Sequence, residues 1–281
     1  MRLGDVELHI VSAGRFKVDG GAAFGLVPKV LWERIIQPDA LNRIPMALNC
    51  LLIESHGKKI LVDTGFGDKL PPKQREIMAL EDDNGLIESL KRLGIAPDQI
   101  DIVINTHLHS DHCGGNTTLF NDKLAPTFPN AEYWIQRLEW ADALYPNERT
   151  RTTYLPENLL PLEREGQLRL LNGDARVTPE VRCLVTRGHT RAHQSVVIES
   201  AERRAIYLGD LAPLAINMER LAWVPSFDIE PLETIETKRR IRQWAIEERV
   251  LLIFEHDVKT AMGYLRLEGE RYKVEAVDRP E

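Results

Sequence analysis

Residues 104–116 read INTHLHSDHCGGN, with three histidines and an aspartate in six positions, an apolar run before them and two glycines after. A chain that concentrates coordinating side chains where a buried strand stops must fold so that this strand end faces a polar centre. His107 and His109 are two residues apart, so on an extended segment both point the same way. Asp111 and His112 are adjacent, so on a turn they diverge toward a different centre. Two neighbouring cations would need that division, and Gly114 and Gly115 let the backbone turn tightly beneath it. Imidazole and carboxylate suit zinc, and also iron, cobalt or manganese; none of the four is a soft thiolate. Histidines can also simply decorate a loop, but His-x-His-x-Asp-His directly after an apolar strand is too dense for that reading.

Further candidate ligands stand at other strand ends. His189 lies in VTRGHTRAHQS just beyond RCLVT, Asp210 ends IYLGD, and His256 follows LLIFE. Each alone is unremarkable, and His9 and His56 are ordinary surface candidates. Together they put polar ligands where apolar strands stop, at the rim where binding sites gather. Cys113 follows His112 directly and reads as a small residue tucked into the turn, not as a nucleophile.

The remaining pattern predicts an α+β chain. The first strand is expected over Val6–Ser12, followed by a long irregular stretch within about residues 13–45, whose glycines and prolines break any period. Its apolar content (Phe24, Leu26, Val27, Val30, Leu31, Trp32) argues against disorder and predicts that it covers a site or a subunit contact. MALNCLLIES and KKILVDTG read as a hairpin joined at HGKK. NGLIESLKRLGI reads as an amphipathic helix stopped by Gly94, and DIVINT as a short buried strand. AEYWI, QLRLL, VRCLVT, QSVVIES, RRAIYLGD and VLLIFEH read as further strands. EPLETIETKRRIRQWAIEERV reads as a long helix with Pro231 in its first turn. Its Lys238, Arg239, Arg240 and Arg242 are flanked by acids and predict a solvated face. Strands with interspersed helices, part meander and part crossover, point to two packed sheets with helices outside, in a single domain over 1–281.

Composition narrows the function. A net charge of −7 argues against general affinity for nucleic acid or acidic membrane surfaces. Cys50, Cys113 and Cys183 are far apart and odd in number, which suggests no disulfide framework. The N-terminal MRLGDVELHI lacks the segments of a secretion signal, and no apolar run approaches the roughly 20 residues needed to cross a bilayer, so a cytoplasmic protein is expected.

Asp63-Thr64-Gly65 in LVDTG, then His-x-His-x-Asp-His, then His189, Asp210 and His256 resemble the metallo-β-lactamase superfamily of hydrolases in order and spacing. The resemblance implies an αββα sandwich, two mixed sheets flanked by helices, with two divalent metal ions at one edge. By position, His107, His109 and His189 would hold the first ion and Asp111, His112 and His256 the second. Asp210 would bridge them. Zinc is the expected metal, with iron, cobalt and manganese as alternatives. Asp63 and His193 would be supporting residues that orient ligands.

Within the superfamily the chain is similar to quorum-quenching N-acyl homoserine lactonases of the YtnP type, through VDGGAAFGLVPKVLW, GHTRAHQS and FEHD. Arg187, Arg191 and Ala192 replace the usual Pro, Pro and Gly around His189. Pro213 stands where many such lactonases carry a tyrosine over the substrate carbonyl. The resemblance implies attack of a metal-bridging hydroxide on a lactone or ester carbonyl, with Asp111 as the catalytic proton donor to the leaving alkoxide. Phe24, Leu26, Trp32 and Pro213 would line the substrate pocket, and the apolar loop points to a homodimer. An organophosphate triesterase or aryl esterase on the same scaffold is the alternative enzyme. A non-catalytic small-ligand sensor is the alternative from another class, which the full set of seven ligands disfavours.

Overall fold

A computed structural model describes residues 1–81 and 85–277. In chain order its strands are β1 (Arg2–Leu3), β2 (Val6–Asp19), β3 (Arg43–Ser55), β4 (Lys58–Val62), β5 (Ile102–Ile104), β6 (Thr117–Phe120), β7 (Lys123–Pro126), β8 (Glu132–Gln136), β9 (Leu168–Leu171), β10 (Ala175–Arg176), β11 (Val181–Val185), β12 (Gln194–Ser200), β13 (Arg203–Tyr207), β14 (Leu251–Ile253), β15 (Met262–Glu268) and β16 (Arg271–Ala276). Among the described residues they form two seven-stranded sheets, ordered β1-β2-β3-β4-β5-β8-β9 and β10-β11-β12-β13-β14-β15-β16, and the small β6-β7 ribbon. The first sheet is antiparallel from β1 to β4 and parallel from β4 to β9. The second is antiparallel except where β13 runs parallel to β14.

The layering follows from alternation along strands that are apolar on both faces. Leu51 and Ile53 of β3 pack with Val196, Ile198, Tyr207 and Ile253 in the layer between the sheets. Their neighbours Cys50 and Leu52 face the other way, against Leu86 and Leu90 of the helix Gly85–Arg92 and Trp140 of the helix Arg137–Leu144. On the far side, Val197, Ile206 and Leu252 pack under Met218, Ile241 and Ala245, the last two from the helix Pro231–Glu247. The result is the αββα sandwich. No helix among the described residues is long and apolar enough to cross a membrane.

Several local features differ from the sequence reading. β2 does not stop at Ser12; a register shift between Ser12 and Arg15 lets it continue to Asp19 against Arg43. Gly14, at φ 113°, supplies the backbone freedom for that irregularity. The irregular stretch thus shrinks to residues 20–42, which hold the short helices Gly20–Phe24 and Lys29–Trp32. The hairpin at HGKK turns through His56 and Gly57, both with positive φ, as a two-residue turn requires. The predicted amphipathic helix runs over Gly85–Arg92, with its predicted start at Asn84 outside the described residues, as are residues 278–281 of the predicted domain.

The basic helix also departs from its predicted solvated face. Lys238 and Arg242 are buried, while Arg239 and Arg240 pair with Glu236 and Glu233 at the surface. Arg242 lies over the Tyr272 ring, 3.5 Å from its centroid, and Lys238 Nζ donates to the carbonyls of Trp223 (2.8 Å) and Asn217 (3.2 Å).

Candidate metal centre

The loop after β4 and the loop after β5 are packed backbone to backbone. Thr64 N donates to His112 O at 2.8 Å, and Gly115 N to Gly65 O at 3.0 Å. A Cβ on Gly114 would stand 2.1 Å from Phe66 O, and one on Gly115 2.3 Å from Thr64 O, so only glycine permits this approach. Pressed against that loop, Ser110–Cys113 forms one helical turn with His109 at its N-cap, so the ligand-bearing side chains fan out in two directions.

From the second sheet, three strand ends reach the same place. His189 follows β11 in a loop whose residues Gly188 and His189 accept from the backbone of Glu230 and Ile229. Asp210 follows β13 in a tight turn, and His256 follows β14, donating its N–H to Pro213 O. The structure brings together all seven predicted ligand residues. Three sets drawn from these seven have potential ligand atoms mutually within 4.8 Å: His107–His109–His189, Asp111–His112–His256, and His107–His112–Asp210.

The hydrogen-bond partners fix which nitrogen each imidazole turns inward. His112 Nδ1 donates to Asp63 Oδ2 (3.1 Å), His189 Nδ1 to Asp228 Oδ1 (2.8 Å), and His256 Nδ1 to Ala47 O (2.8 Å). Thr106 Oγ1 donates to Asp63 Oδ2 at 2.7 Å and so accepts from His107 Nδ1 at 3.1 Å. Nε2 lone pairs of four histidines therefore converge. His189 Nε2 comes within 3.0 Å of His109 Nδ1, and His256 Nε2 within 3.3 Å of His112 Nε2. Asp210 lies among them, 3.1 Å from both His189 Nε2 and His256 Nε2. Buried His107 Nε2 and Asp210 Oδ1 have no hydrogen-bond partner. Lone pairs that face one another around an orphaned nitrogen and carboxylate oxygen are what cations would satisfy, so the residues fit two divalent ions.

The charge balance favours positive charge there. Burial opposes charging His256, but Asp210 and Glu255 outweigh it and raise it to about 9. Burial likewise opposes charging His112, yet Glu255, Asp111 and Asp210 lift it well above the usual range. Burial would raise Asp210, but His112, His189 and His256 hold it well below the usual carboxylate range. His193 is pushed down to about 3 by burial and by His189; its Nε2 accepts from Asp210 N at 3.1 Å, which fixes the Asp210 turn. Cys113 is buried, its thiol donates to Leu108 O, and burial raises it far from thiolate.

The cluster opens through Asp111 and Asp210 into a cleft of about 530 Å³ lined by Val18, Phe66, Met78, Arg149, Thr152 and Phe227 among others. A smaller cavity beside it is lined by Phe16, Met46, Pro213, Pro225 and His256. The expected pocket residues Phe24, Leu26 and Trp32 do not line either. Phe24 and Trp32 are buried and stacked on each other, with ring centroids 5.2 Å apart, and Trp223 packs edge-on against Phe24. They anchor residues 20–36 to the 223–227 segment, while Leu26 points fully into solvent. Large aromatic faces gain more from mutual burial than from lining an open cleft, and Phe16, Phe66 and Phe227 supply the wall instead.

Three supporting carboxylates escaped the sequence reading. Asp228 orients His189, Glu255 lies beside His112, and Glu139 accepts from Leu108 N, Tyr154 Oη and Thr190 Oγ1 beneath the ligand loops. Asp228 sits in PSFDIEP, which carries no periodic signal. Glu255 had one, a glutamate ending an otherwise apolar strand.

Residues 43–242 match the Metallo-beta-lactamase superfamily profile. The chain belongs to the metallo-beta-lactamase superfamily. It is 26% identical over 264 residues to an N-acyl homoserine lactonase of Bacillus thuringiensis, an alignment covering 90% of this chain and 94% of the relative. A solved structure of a probable metal-dependent hydrolase from Staphylococcus aureus superimposes with TM-score 0.91 at 28% identity over 99% of both chains. The dizinc quorum-quenching lactonase AidC, in complex with N-hexnoyl-L-homoserine, shares the fold at TM-score 0.82 and 20% identity, over 100% of this chain and 97% of AidC.

Proposed function

We propose that this protein is a metal-dependent hydrolase that opens N-acyl homoserine lactones or related lactones. The observation that carries the reading is the convergence of two ligand groups on Asp210 at the floor of a half-apolar cleft. In this reading His107, His109 and His189 would hold one cation, Asp111, His112 and His256 would hold a second, and Asp210 would be shared between them; zinc is the expected ion. Cations so held supply activation of water at neutral pH and polarisation of the substrate carbonyl.

The chain's own residues do the rest. Asp63, Asp228 and the Ala47 carbonyl lock three imidazoles in orientation, so the ligand set costs little reorganisation during reaction. Asp111 is the most exposed of the seven ligands, with 22% of its side chain open to solvent, and it lies at the mouth where a leaving alkoxide would need a proton. Phe16, Val18, Phe66 and Phe227 give an acyl arm an apolar wall. Pro213 lines the smaller cavity where a tyrosine would otherwise offer a donor. Exposed Leu26, Val30, Leu31 and Ile35 support a homodimer contact on the 20–42 segment.

Hydrolysis of a lactone panel and an aryl phosphotriester by metal-reconstituted protein, beside His109→Ala, tests the reading. Lactone opening that requires metal and disappears in the variant is the expected outcome. Phosphotriester turnover without lactone turnover would replace the substrate assignment while leaving the metallohydrolase intact.

A further inference from the structure

Glu255 is a carboxylate that the ligand motif does not call for. It directly precedes His256, and its backbone carbonyl accepts from Asn49 N at 2.9 Å, which pins it against β3. Its side chain is fully buried, and neither carboxylate oxygen has a hydrogen-bond partner. Oε2 lies 2.9 Å from His112 Nδ1, the same atom that donates to Asp63 Oδ2. One imidazole N–H therefore faces two buried carboxylates. Asp63 is well supplied by Thr106, through both its backbone N–H (2.8 Å) and its hydroxyl (2.7 Å), whereas Glu255 is not.

A buried carboxylate whose nearest donor, His112 Nδ1–H, is shared with Asp63 is expensive to keep. Cys50 and Tyr207 face it but bring no positive charge, and the Tyr207 hydroxyl beside it donates to Asn49 O at 3.1 Å. Its positive neighbours are the imidazoles of His112 and His256, whose other nitrogens point into the ligand cluster. Those two histidines belong to one ligand group, Asp111–His112–His256. The other group has its own carboxylate behind it, Asp228 on His189.

We propose that Glu255 is a positioning residue for the second cation: a carboxylate behind His112 and beside His256 that selectively raises the affinity of the Asp111–His112–His256 group. A carboxylate behind a ligating imidazole makes the facing lone pair a stronger donor. The inference rests on the two-cation reading above but not on any substrate.

The test is a titration of metal-stripped protein with cobalt(II), followed by its visible absorption, with Tm recorded at each equivalent. The wild type is expected to take up two equivalents. Glu255→Gln should bind the first as the wild type does and the second at least tenfold more weakly, with a smaller rise in Tm on the second equivalent. Asp228→Asn should weaken a different step, and Glu255→Asp, which keeps the carboxyl group, should recover most of the second affinity. Should Glu255→Gln not fold, Glu255→Met, of similar size, carries the same expectation. Equal second-equivalent affinity in wild type and Glu255→Gln overturns the proposal, as does equal weakening of both equivalents, the mark of a general structural loss. A wild type that binds no cobalt removes the two-cation reading and this inference together; two equivalents held by Glu255→Gln unchanged removes this inference alone.

Discussion

His189 shows how far a candidate ligand is oriented by an atom on the far side of its ring from the cluster. Its Nδ1–H is held by Asp228 Oδ1 at 2.8 Å, and Asp228 Oδ2 is in turn held by the Thr234 hydroxyl at 2.5 Å. Asp228→Asn keeps the shape and removes the charge, so the imidazole loses both orientation and basicity. Metal affinity should fall by roughly 10- to 100-fold, measured as metal content after dialysis against a graded chelator. Unchanged content would reduce Asp228 to a loop residue. The seven residues that the fold brings together were legible in the sequence because coordinating residue types are rare at the ends of apolar strands and here recur four times. Asp228 and Glu255 were not identified, because an orienting carboxylate is defined by the atom it faces. That atom is 39 positions away for Asp228.

At the scale of elements, the helix Pro231–Glu247 shows where periodicity was right and charge misled. Its buried positions Thr234, Thr237, Lys238, Ile241, Arg242 and Ala245 make a regular inner stripe, and two of them are cations. The flanking acids made the whole basic run look solvated, yet Lys238 points inward to hold the carbonyls of Asn217 and Trp223. Burial lowers Lys238 from 10.5 to about 7. Between those values the unfolded chain carries a proton that the folded chain does not, so this group makes stability rise with pH from about 7 to 10.5 and fall again toward 7. Urea midpoints of wild type and Lys238→Met at pH 6.5 and 9.5 should therefore diverge in favour of the wild type at the higher pH. A parallel pH dependence in both would mean that Lys238 titrates normally. The 20–42 segment offers a matching case: its aromatics were seen, but only the fold decides that they bury each other. Trp32→Ala should cost about 3–5 kcal/mol of stability and leave the KM for a short-chain lactone near that of the wild type, whereas Phe227→Ala, on the cleft wall, should raise KM with little loss of stability.

For the molecule as a whole, the two sheets divide the candidate ligands between them. His107, His109, Asp111 and His112 follow β5 of the first sheet, while His189, Asp210 and His256 follow β11, β13 and β14 of the second. Cations in this site would tie together the rims of two sheets that elsewhere rely on apolar packing such as Leu51 and Ile53 against Ile198 and Ile253. The layered fold could be read from alternation and apolar runs, but this division of ligands needed the pairing order, which no local pattern encodes. Its thermodynamic consequence is direct. An ion present at a thousand times its dissociation constant adds roughly 4 kcal/mol to the folded state, or about 7 °C in Tm for a chain of this size, and two ions add more. Chelation should reverse that gain, and the loss should not be spread evenly. Amide exchange should accelerate in the ligand loops at residues 186–193, 208–213 and 254–257. It should stay unchanged at the opposite end, in the turns at His56–Gly57 and Ala201–Glu202, because nothing there touches the site. Uniform acceleration across both ends on chelation would mean that the ions hold the whole fold together and not one rim of it; no change at either end would mean that the sheets meet correctly without them.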